Sequence, residues 1–260
     1  MSESSYEYIG TETRGHIFIV TMNRPQVMNA LHAPAHQEMA DAWDHFAEDP
    51  ELWVGIVTGT GDRAFSAGND LKHQAAGGDM SMPRSSFAGL TSRFDCFKPI
   101  IAAVNGLALG GGFEIALACD IVVAAESARF GLPEPKVGLA ALAGGMQRLP
   151  RQIGLKNAMG MMLTGRQIPA SEAQAFGLVQ EIAPDGQALE RAVAWAEQIL
   201  ECAPLSVRAT KEAAYRSLGL PLEDAMTMKI DGVHDMLHSE DIIEGPTAFA
   251  QKRKPQWKGR

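Results

Sequence analysis

The stretch IIAAVNGLALGGGFEIALACDIVVAAESARFGLPE, residues 100–134, sets the expected fold of this 260-residue chain. It opens with an apolar run, Ile100 to Val104, whose length and β-branched content are typical of a buried strand. Three glycines, Gly110 to Gly112, precede the run FEIALA, which predicts a buried helix. Glycines at such a junction let the backbone approach a ligand closely. Because the first N–H groups of a helix are free and its dipole is positive there, we expect this turn to hold an anion, or an oxygen that becomes one.

Two acidic residues accompany these glycines. Glu114 lies three positions after Gly111, on the same face of the predicted helix and in an otherwise apolar segment. Glu134 follows a second apolar strand, Ile121 to Ala125, within the sequence Gly-Leu-Pro-Glu-Pro. Glu114 could instead form a structural ion pair, and Glu134 could simply lie at the surface. Few basic residues are nearby, however, to pair with either acid. Two carboxyl groups in an apolar pocket would have raised and separated pKa values, so that one could donate a proton and the other accept one.

Backbone N–H donors beside two buried acids predict an acid–base site. Adding water across a C=C bond conjugated to a carbonyl needs one group to deprotonate the water and another to deliver a proton to Cα. It also needs N–H donors for the enolate oxygen that forms between these events. The glycine turn FSAGND, residues 65–70, could supply a second donor, although an ordinary β-turn is the alternative there.

Other motifs argue against several classes of site. The three glycines lack the Lys-Ser/Thr of a phosphate-binding loop, and Ile115 stands where a dinucleotide fingerprint has its third glycine. No GxSxG elbow presents a nucleophilic serine. The pairs His32/His36 and His234/His238 have a spacing that can bind zinc, but neither contains the glutamate of a zinc-protease motif. We therefore expect surface or interface histidines, with no metal site and no cofactor.

Composition limits the class of protein further. The hydrophobic content of 46% allows a large core, and the net charge of −8 argues against a nucleic-acid partner. The last ten residues, QKRKPQWKGR, nevertheless contain five Lys/Arg. Three cysteines at unrelated spacings fit a reducing compartment better than a disulfide framework. With no signal-peptide pattern and no apolar run long enough to span a membrane, the expected location is the cytoplasm.

The chain divides by pattern into two regions. Residues 1–187 alternate strand and helix signals, which favours stacked βα units and an α/β fold. Residues 188–260 carry helix patterns instead, with Ser239 as a possible cap for the last one. The amphipathic patterns cover residues 188–203, 204–218, 221–238 and 239–253. We expect 1–187 to be the core with the active site and 188–260 to be a helical C-terminal region.

The order and spacing of several motifs resemble those of the crotonase (enoyl-CoA hydratase/isomerase) superfamily over essentially the whole chain. The resemblance implies a ClpP/crotonase-like spiral of ββα units, with C-terminal helices that form homotrimers, often paired into hexamers. It also implies a coenzyme A thioester substrate whose carbonyl oxygen lies in an oxyanion hole. The motifs are AFSAGNDLK (64–72), AAVNGLALGGGFEIALACD (102–120), ARFGLPEPKVGL (128–139), GGMQRLP (144–150) and LTGRQIPASEAQAFGLV (163–179).

The same resemblance implies roles for individual residues. The oxyanion hole would be the backbone N–H groups of Asn69 and Gly111, and the catalytic acids would be Glu114 and Glu134. Many relatives that isomerise, dehalogenate or hydrolyse lack one of these acids, so the pair favours hydration or its reverse. The residues that match the CoA channel, the last of them at its nucleotide end, are Arg24, Val27, Ala30, Leu31, Ala67, Gly68, Asp70, Leu71 and Lys252.

One position departs from the family pattern. Hydratases commonly have Pro-Gly in the loop after the second glutamate, whereas this chain has Ala141-Leu142. Leu142 would narrow the acyl pocket or shift the water site, which affects the expected acyl-chain preference. The C-terminal end, residues 238–260, resembles the carnitinyl-CoA dehydratase branch. The expected activity is therefore reversible hydration of a trans-2-enoyl-CoA, with carnitinyl-CoA-type dehydration, isomerisation or non-catalytic acyl-CoA binding as alternatives.

Overall fold

The computed structural model describes residues 6–260, and these residues form two β-sheets. Within this range, neighbouring strands are parallel except for the first pair of the larger sheet and the last pair of the smaller one. The larger sheet contains, in this order, β1 (Ile9–Arg14), β2 (Ile17–Met22), β3 (Val54–Gly59), β5 (Ile100–Val104), β7 (Ile121–Ala125) and β10 (Glu181–Ala183). The smaller sheet contains β4 (Ala64–Ser66), β6 (Leu107–Leu109), β8 (Arg129–Gly131) and β9 (Gln167–Pro169).

A repeated ββα unit connects the two sheets. Each unit places one strand in the larger sheet, continues into a short strand of the smaller sheet and ends in a helix or helical turn. β3 and β4 lead to α2 (Leu71–Ala75), β5 and β6 lead to α3 (Gly111–Ala118), and β7 and β8 lead to a 3₁₀ turn, Glu134–Val137. Because the strands are parallel, the three units end at the same edge of the sheets. This arrangement confirms the expected α/β spiral.

Helix α3 lies at the centre of this spiral. Phe113, Ile115 and Leu117 are at most 1% exposed, because the helix is enclosed by β6 and by α4 (Gly145–Ile153). The prediction of a buried helix directly after the three glycines is therefore confirmed.

Helices cover both faces of the larger sheet. Successive residues of a strand point to opposite faces, so Phe18 of β2 packs towards one helix layer and Ile19 towards the other. Phe46 of α1 (Ala33–Glu48) stacks on Phe18, and Ala192 of α7 (Ala188–Leu200) is buried with Ile19. α7 thus packs on the sheet although it falls in the predicted C-terminal region. The other helices are α5 (Leu155–Thr164), α6 (Ala170–Ala175), α8 (Pro204–Ser217), α9 (Leu222–Thr227), α10 (Asp231–Leu237) and α11 (Asp241–Ala250).

The helices after α7 are tied to the core by polar contacts and expose apolar side chains. Lys211 of α8 donates from Nζ to Asp120 Oδ2 at 2.7 Å and to the carbonyl oxygen of Lys98 at 2.9 Å. The most exposed large apolar side chains of this region are Leu218, Leu222, Met226, Ile243 and Phe249. None of the described helices is both long enough and apolar enough to span a membrane.

Two details of the C-terminal region differ from the predicted pattern. Residues 221–238 form two helices, α9 and α10, because the chain is extended at Met228 and Ile230 between them. Ser239 does not cap α11, since its hydroxyl donates backwards to the carbonyl oxygen of Met236 at 2.7 Å and Glu240 directly precedes the helix.

Candidate active site

The glycine turns after β4 and β6 meet directly. Gly68 has a φ of +89°, and a Cβ atom there would lie 2.8 Å from the backbone nitrogen of Gly111. A Cβ on Gly112 would collide with the carbonyl oxygen of Ser66. Glycine is required at these positions because the first turn of α3 packs backbone to backbone against the end of β4. The structure therefore brings together the two turns that the sequence predicts as donor sites.

The predicted donors are backbone N–H groups of these turns. Leu31 forms a parallel bridge with Asn69, in which the nitrogen of Leu31 donates to Gly68 and the nitrogen of Asp70 donates to Leu31, both at 2.8 Å. In this pattern the N–H of Asn69 points away from Leu31. The N–H of Gly111, at the first position of α3, has no acceptor within the helix. The side chain of Asn69 donates to Gln74 Oε1 at 2.9 Å, so it is held by α2.

Glu114 of α3 is a buried carboxyl group that lies against the N-terminal end of α4. Its side chain lies one turn into α3, the residue is 3% exposed, and its Oε1 accepts a hydrogen bond from the nitrogen of Gly145 at 2.8 Å. Burial raises the pKa of Glu114 to about 7, with a smaller contribution from the nearby Glu134 and against the opposing effect of the Gly145 N–H. Glu114 can therefore exchange a proton near neutral pH.

Glu134 lies on the other side of the glycine turn. It begins the 3₁₀ turn after β8, and a Cβ atom on Gly110 would lie 3.2 Å from its Oε1. Its Oε2 is buried and has no hydrogen-bond partner among residues 6–260. Burial raises the pKa of this carboxyl group, which favours the protonated form. Both predicted acids thus adjoin the glycines, in surroundings that keep a proton available.

Arg148 is a charged neighbour of the site that the sequence reasoning missed. It lies one turn after Gly145 on α4 and donates from Nη2 to the carbonyl oxygen of Thr91 at 2.8 Å. Its positive charge acts to lower the pKa of Glu114, against the effect of burial. Arg148 lies three residues after the second glycine of GGMQR, a spacing that would place it one turn into the predicted helix and close to the site.

The residues matched to the CoA channel include an ion pair within the chain. Arg24 Nη1 lies 3.0 Å from Asp70 Oδ2 and also donates to the carbonyl oxygen of Ala30. Asp70 additionally caps α2 by accepting from the nitrogen of His73 at 3.1 Å. These contacts fix the 24–31 loop against the turn that carries Asn69. Of the remaining matched residues, Leu31 and Gly68 are buried, Val27 and Ala67 are partly buried, and Leu71 is exposed.

Leu142 and Lys252 are both exposed. The side chain of Leu142 is 77% exposed in the single chain, whereas Ala141 is buried. Lys252 lies in the turn after α11 with a φ of +53°, and none of its described hydrogen bonds is to a residue of the site. The basic tail around it is largely paired: Arg253 lies 2.6 Å from Glu244, and Lys258 lies 2.6 Å from Glu240.

Comparisons with known proteins agree with this fold. The family model described as enoyl-CoA hydratase/isomerase matches residues 12–260. The carnitinyl-CoA dehydratase of Salmonella typhi is 44% identical over 252 residues, which cover 95% of this chain and 96% of that protein. The crystal structure of an enoyl-CoA hydratase from Mycobacterium tuberculosis H37Rv superposes with a TM-score of 0.92 at 42% identity, covering 97% and 99% of the two chains.

A carnitinyl-CoA hydratase structure from Mycobacterium avium is also similar, with a TM-score of 0.79 at 42% identity over 98% of this chain and 100% of that one. The family model and the relatives each cover nearly the whole chain. The chain therefore belongs to the enoyl-CoA hydratase/isomerase family, the crotonase superfamily, and is a hydro-lyase of that family.

Proposed function

We propose that this protein catalyses the reversible syn addition of water to a trans-2-enoyl-CoA. The observation that carries the proposal is the pair of carboxyl groups beside the Gly110 to Gly112 turn, that of the buried Glu114 and that of the partly buried Glu134. Both have raised pKa values, and the backbone N–H of Gly111 begins the helix that carries Glu114.

The chemistry follows from these positions. The thioester carbonyl oxygen would accept hydrogen bonds from the N–H groups of Asn69 and Gly111, which stabilise negative charge as the enolate forms. Glu114, ionised in part at neutral pH, would take the proton from the water that attacks Cβ. Glu134, whose protonated form is favoured by burial, would deliver a proton to Cα. In the reverse direction the two acids exchange these roles.

CoA would be held at some distance from the reacting atoms. The 24–31 loop, fixed by the Arg24–Asp70 pair, and the 67–71 turn would line its channel. Lys252 would reach the phosphates at the nucleotide end, from the same chain or a neighbouring one, since its charge is exposed and has no ion pair among the described residues.

A second candidate is dehydration of a 3-hydroxyacyl-CoA of the carnitinyl type. The 44% identity to a carnitinyl-CoA dehydratase and the replacement of the usual Pro-Gly by Ala141-Leu142 favour it. Isomerisation and non-catalytic acyl-CoA binding are weaker candidates, because both acids are present. Product analysis separates them: hydration adds the mass of water, dehydration removes it, and isomerisation leaves the mass unchanged.

The testing experiment follows the enoyl-thioester absorbance of crotonyl-CoA with the wild type, Glu114→Gln and Glu134→Gln. Glu126→Gln is the matched control, because Glu126 is exposed on the loop after β7. We expect each active-site variant to lose at least about 100-fold in rate, the contribution of general acid–base catalysis. If neither loses more than about tenfold, the assignment of the acids is wrong. Wild-type binding of CoA esters without turnover of crotonyl-CoA would favour the second candidate, tested next with crotonobetainyl-CoA.

We further propose a homotrimer, or a hexamer formed from two trimers, in the cytoplasm. The exposed apolar side chains of α8, α9 and α11 support association of the helical 188–260 region, with 1–187 as the catalytic core. Light scattering coupled to gel filtration would give three or six times the monomer mass of 27.9 kDa. A monomer would contradict this proposal.

A further inference from the structure

A strained turn packs against the predicted oxyanion donor. Residues 86–89, which we name the Phe87 turn, contain three residues with positive φ: Ser86 at 65°, Ala88 at 54° and Gly89 at 62°. Two of these are not glycine, and such conformations persist only where surrounding contacts hold them. The turn lies outside the motifs that suggest a function.

The ring of Phe87 fills the space beside Gly111. A Cβ atom on Gly111 would lie 2.5 Å from Phe87 Cε1 and 2.8 Å from Cε2, so the ring covers the Cα of the residue whose N–H is the proposed donor. Phe87 itself is 5% exposed. Because the first residue of α3 is held on one side by Gly68 and on the other by this ring, the direction of its N–H depends on where the ring lies.

A buried histidine of α1 holds the turn in place. His36 is 0% exposed, and its Nδ1 accepts a hydrogen bond from the nitrogen of Ala88 at 3.1 Å. Its ring centroid lies 4.3 Å from that of Phe87. The expectation of surface or interface histidines is therefore wrong for His36 and its neighbour His32, which are both buried.

The state of His36 is fixed by this contact. Since Nδ1 accepts, the imidazole must be neutral with its single proton on Nε2, and Nε2 is buried without a partner among residues 6–260. Burial, together with the nearby His32, lowers the pKa of His36 to about 4, so the ring is neutral at physiological pH. A neutral imidazole with its acceptor aimed at Ala88 is a rigid support for a strained turn.

We propose that His36 is a positioning residue for the oxyanion hole, acting through Phe87 on the backbone of Gly111. The hydrogen bond to Ala88 fixes the Phe87 turn, the ring then fixes the first turn of α3, and the N–H of Gly111 keeps its direction towards the thioester oxygen. Oxyanion stabilisation needs donors within a few tenths of an ångström of their best positions. This inference rests on the proposed oxyanion hole and adds two residues that no motif assigns.

The test uses two substitutions of the same histidine. His36→Leu removes the acceptor, whereas His36→Asn keeps an acceptor oxygen close to the position of Nδ1. We expect His36→Leu to lower kcat for crotonyl-CoA about tenfold, part of the loss seen when an oxyanion donor is removed. KM should change less than about twofold, because the CoA contacts lie elsewhere, and His36→Asn should keep kcat within about threefold of the wild type. Because an unfolded fraction would also lower the apparent kcat at unchanged KM, kcat is normalised to the folded fraction of each variant, measured by circular dichroism.

Two further measurements complete the test. In a Phe87→Leu background, His36→Leu should have little additional effect, because both act through the same ring. The ultraviolet absorbance of bound acetoacetyl-CoA enolate reports on the oxyanion hole without turnover, and His36→Leu should reduce it.

The possible results separate the inference from the proposed function. Three results would overturn the inference. They are a wild-type kcat in His36→Leu, equal losses of kcat in His36→Leu and His36→Asn, and additive losses of kcat when His36→Leu is combined with Phe87→Leu. A wild type that shows the His36-dependent enolate signal without hydrating crotonyl-CoA would support the inference and refute the proposed hydratase. A wild type that neither stabilises the enolate nor hydrates crotonyl-CoA would refute both.

Discussion

The nitrogen of Gly145 donates a 2.8 Å hydrogen bond to Oε1 of Glu114, so the start of α4 holds one of the two acids of the site. A Cβ atom at position 145 would lie 3.0 Å from that same oxygen and 2.8 Å from the Cβ of Ala141. The position of this carboxyl group therefore depends on the absence of a side chain at 145.

Gly145→Ala should thus impair catalysis more than stability. The added methyl group must displace either Glu114 or Ala141, and a displacement of this kind near the reacting atoms costs on the order of 100-fold in rate. We expect a large fall in kcat for the preferred substrate, with a melting temperature close to that of the wild type. Gly160→Ala is the matched control, because a Cβ there meets no atom within 4 Å. Normal activity of Gly145→Ala would show that the active position of Glu114 does not require glycine at 145.

Removing the charge of Glu114 should stabilise the protein at alkaline pH. Burial raises the pKa of this carboxyl group from 4.5 to about 7. The protonated group therefore contributes fully to the free energy of unfolding below the unfolded pKa, and this contribution is lost as pH rises through about 7. At a pH of about 8, Glu114→Gln should be more stable than the wild type by up to about 3 kcal/mol, and the difference should disappear near the unfolded pKa. Denaturant unfolding at several pH values, at a fixed protein concentration, measures this. A variant less stable than the wild type at alkaline pH would contradict it.

The pH dependence of kcat should be bell-shaped. Glu114 must be ionised to activate water, so the rate should fall at acidic pH, where this carboxyl group, with its pKa raised to about 7, is protonated. Glu134 must be protonated to deliver its proton, and burial raises its pKa, so the rate should fall again at alkaline pH, where this carboxyl group is ionised. The two apparent pKa values that such a profile gives are properties of the interacting pair rather than of either residue alone. A rate that does not vary with pH around neutrality would argue against both roles.

The Arg24–Asp70 pair should act as one structural unit. The two side chains are 12% and 9% exposed, so Arg24→Met leaves a nearly buried carboxylate without its partner. We expect a loss on the order of 2 kcal/mol in the free energy of unfolding, with weaker binding of CoA esters. Adding Asp70→Asn should cause little further loss, because no unpaired charge then remains. Additive losses in the double variant would show that the residues act separately.

Lys252→Ala should weaken binding only of substrates that carry the nucleotide. Loss of one phosphate contact should raise KM for the CoA thioester about three- to tenfold and leave that of the matching pantetheine thioester unchanged. Lys254→Ala is the control, since Lys254 is also exposed and lies two residues further along the same tail. An equal rise in KM for the CoA and pantetheine thioesters would contradict the role assigned to Lys252. So would an equal rise in KM in Lys252→Ala and Lys254→Ala.

The parts of the fold that the sequence predicts are those with a strong local signal. The runs Ile100–Val104 and Ile121–Ala125 are apolar throughout because parallel strands are buried on both faces, and they correspond to β5 and β7. The strands β6, β9 and β10 have three residues each, too few for a period to be recognised. The interruption between α9 and α10 was also missed, because the apolar residues keep their spacing across it.

The candidate site likewise has contacts that the sequence predicts and contacts that it does not. The glycines and Glu114 share a short segment, so their proximity could be predicted from spacing. The contact of Glu114 with Gly145 and that of Gly111 with Phe87 join distant segments, which no local pattern reveals. For His36 a signal was present, because Met39, Ala40 and Trp43 follow at spacings of three, four and seven and place the histidine on the buried face of α1.

The three ββα units each deliver one part of the site: Asn69 from the first, Gly111 with Glu114 from the second, and Glu134 from the third. Insertions and deletions should therefore be tolerated very unequally along the chain. Loss of one residue from β4, β6 or β8 would move a single functional group by about 3.3 Å relative to the other two, while the larger sheet stayed intact. Such a protein would still fold and would be inactive, so gaps in descendants of this sequence should accumulate outside these three short strands.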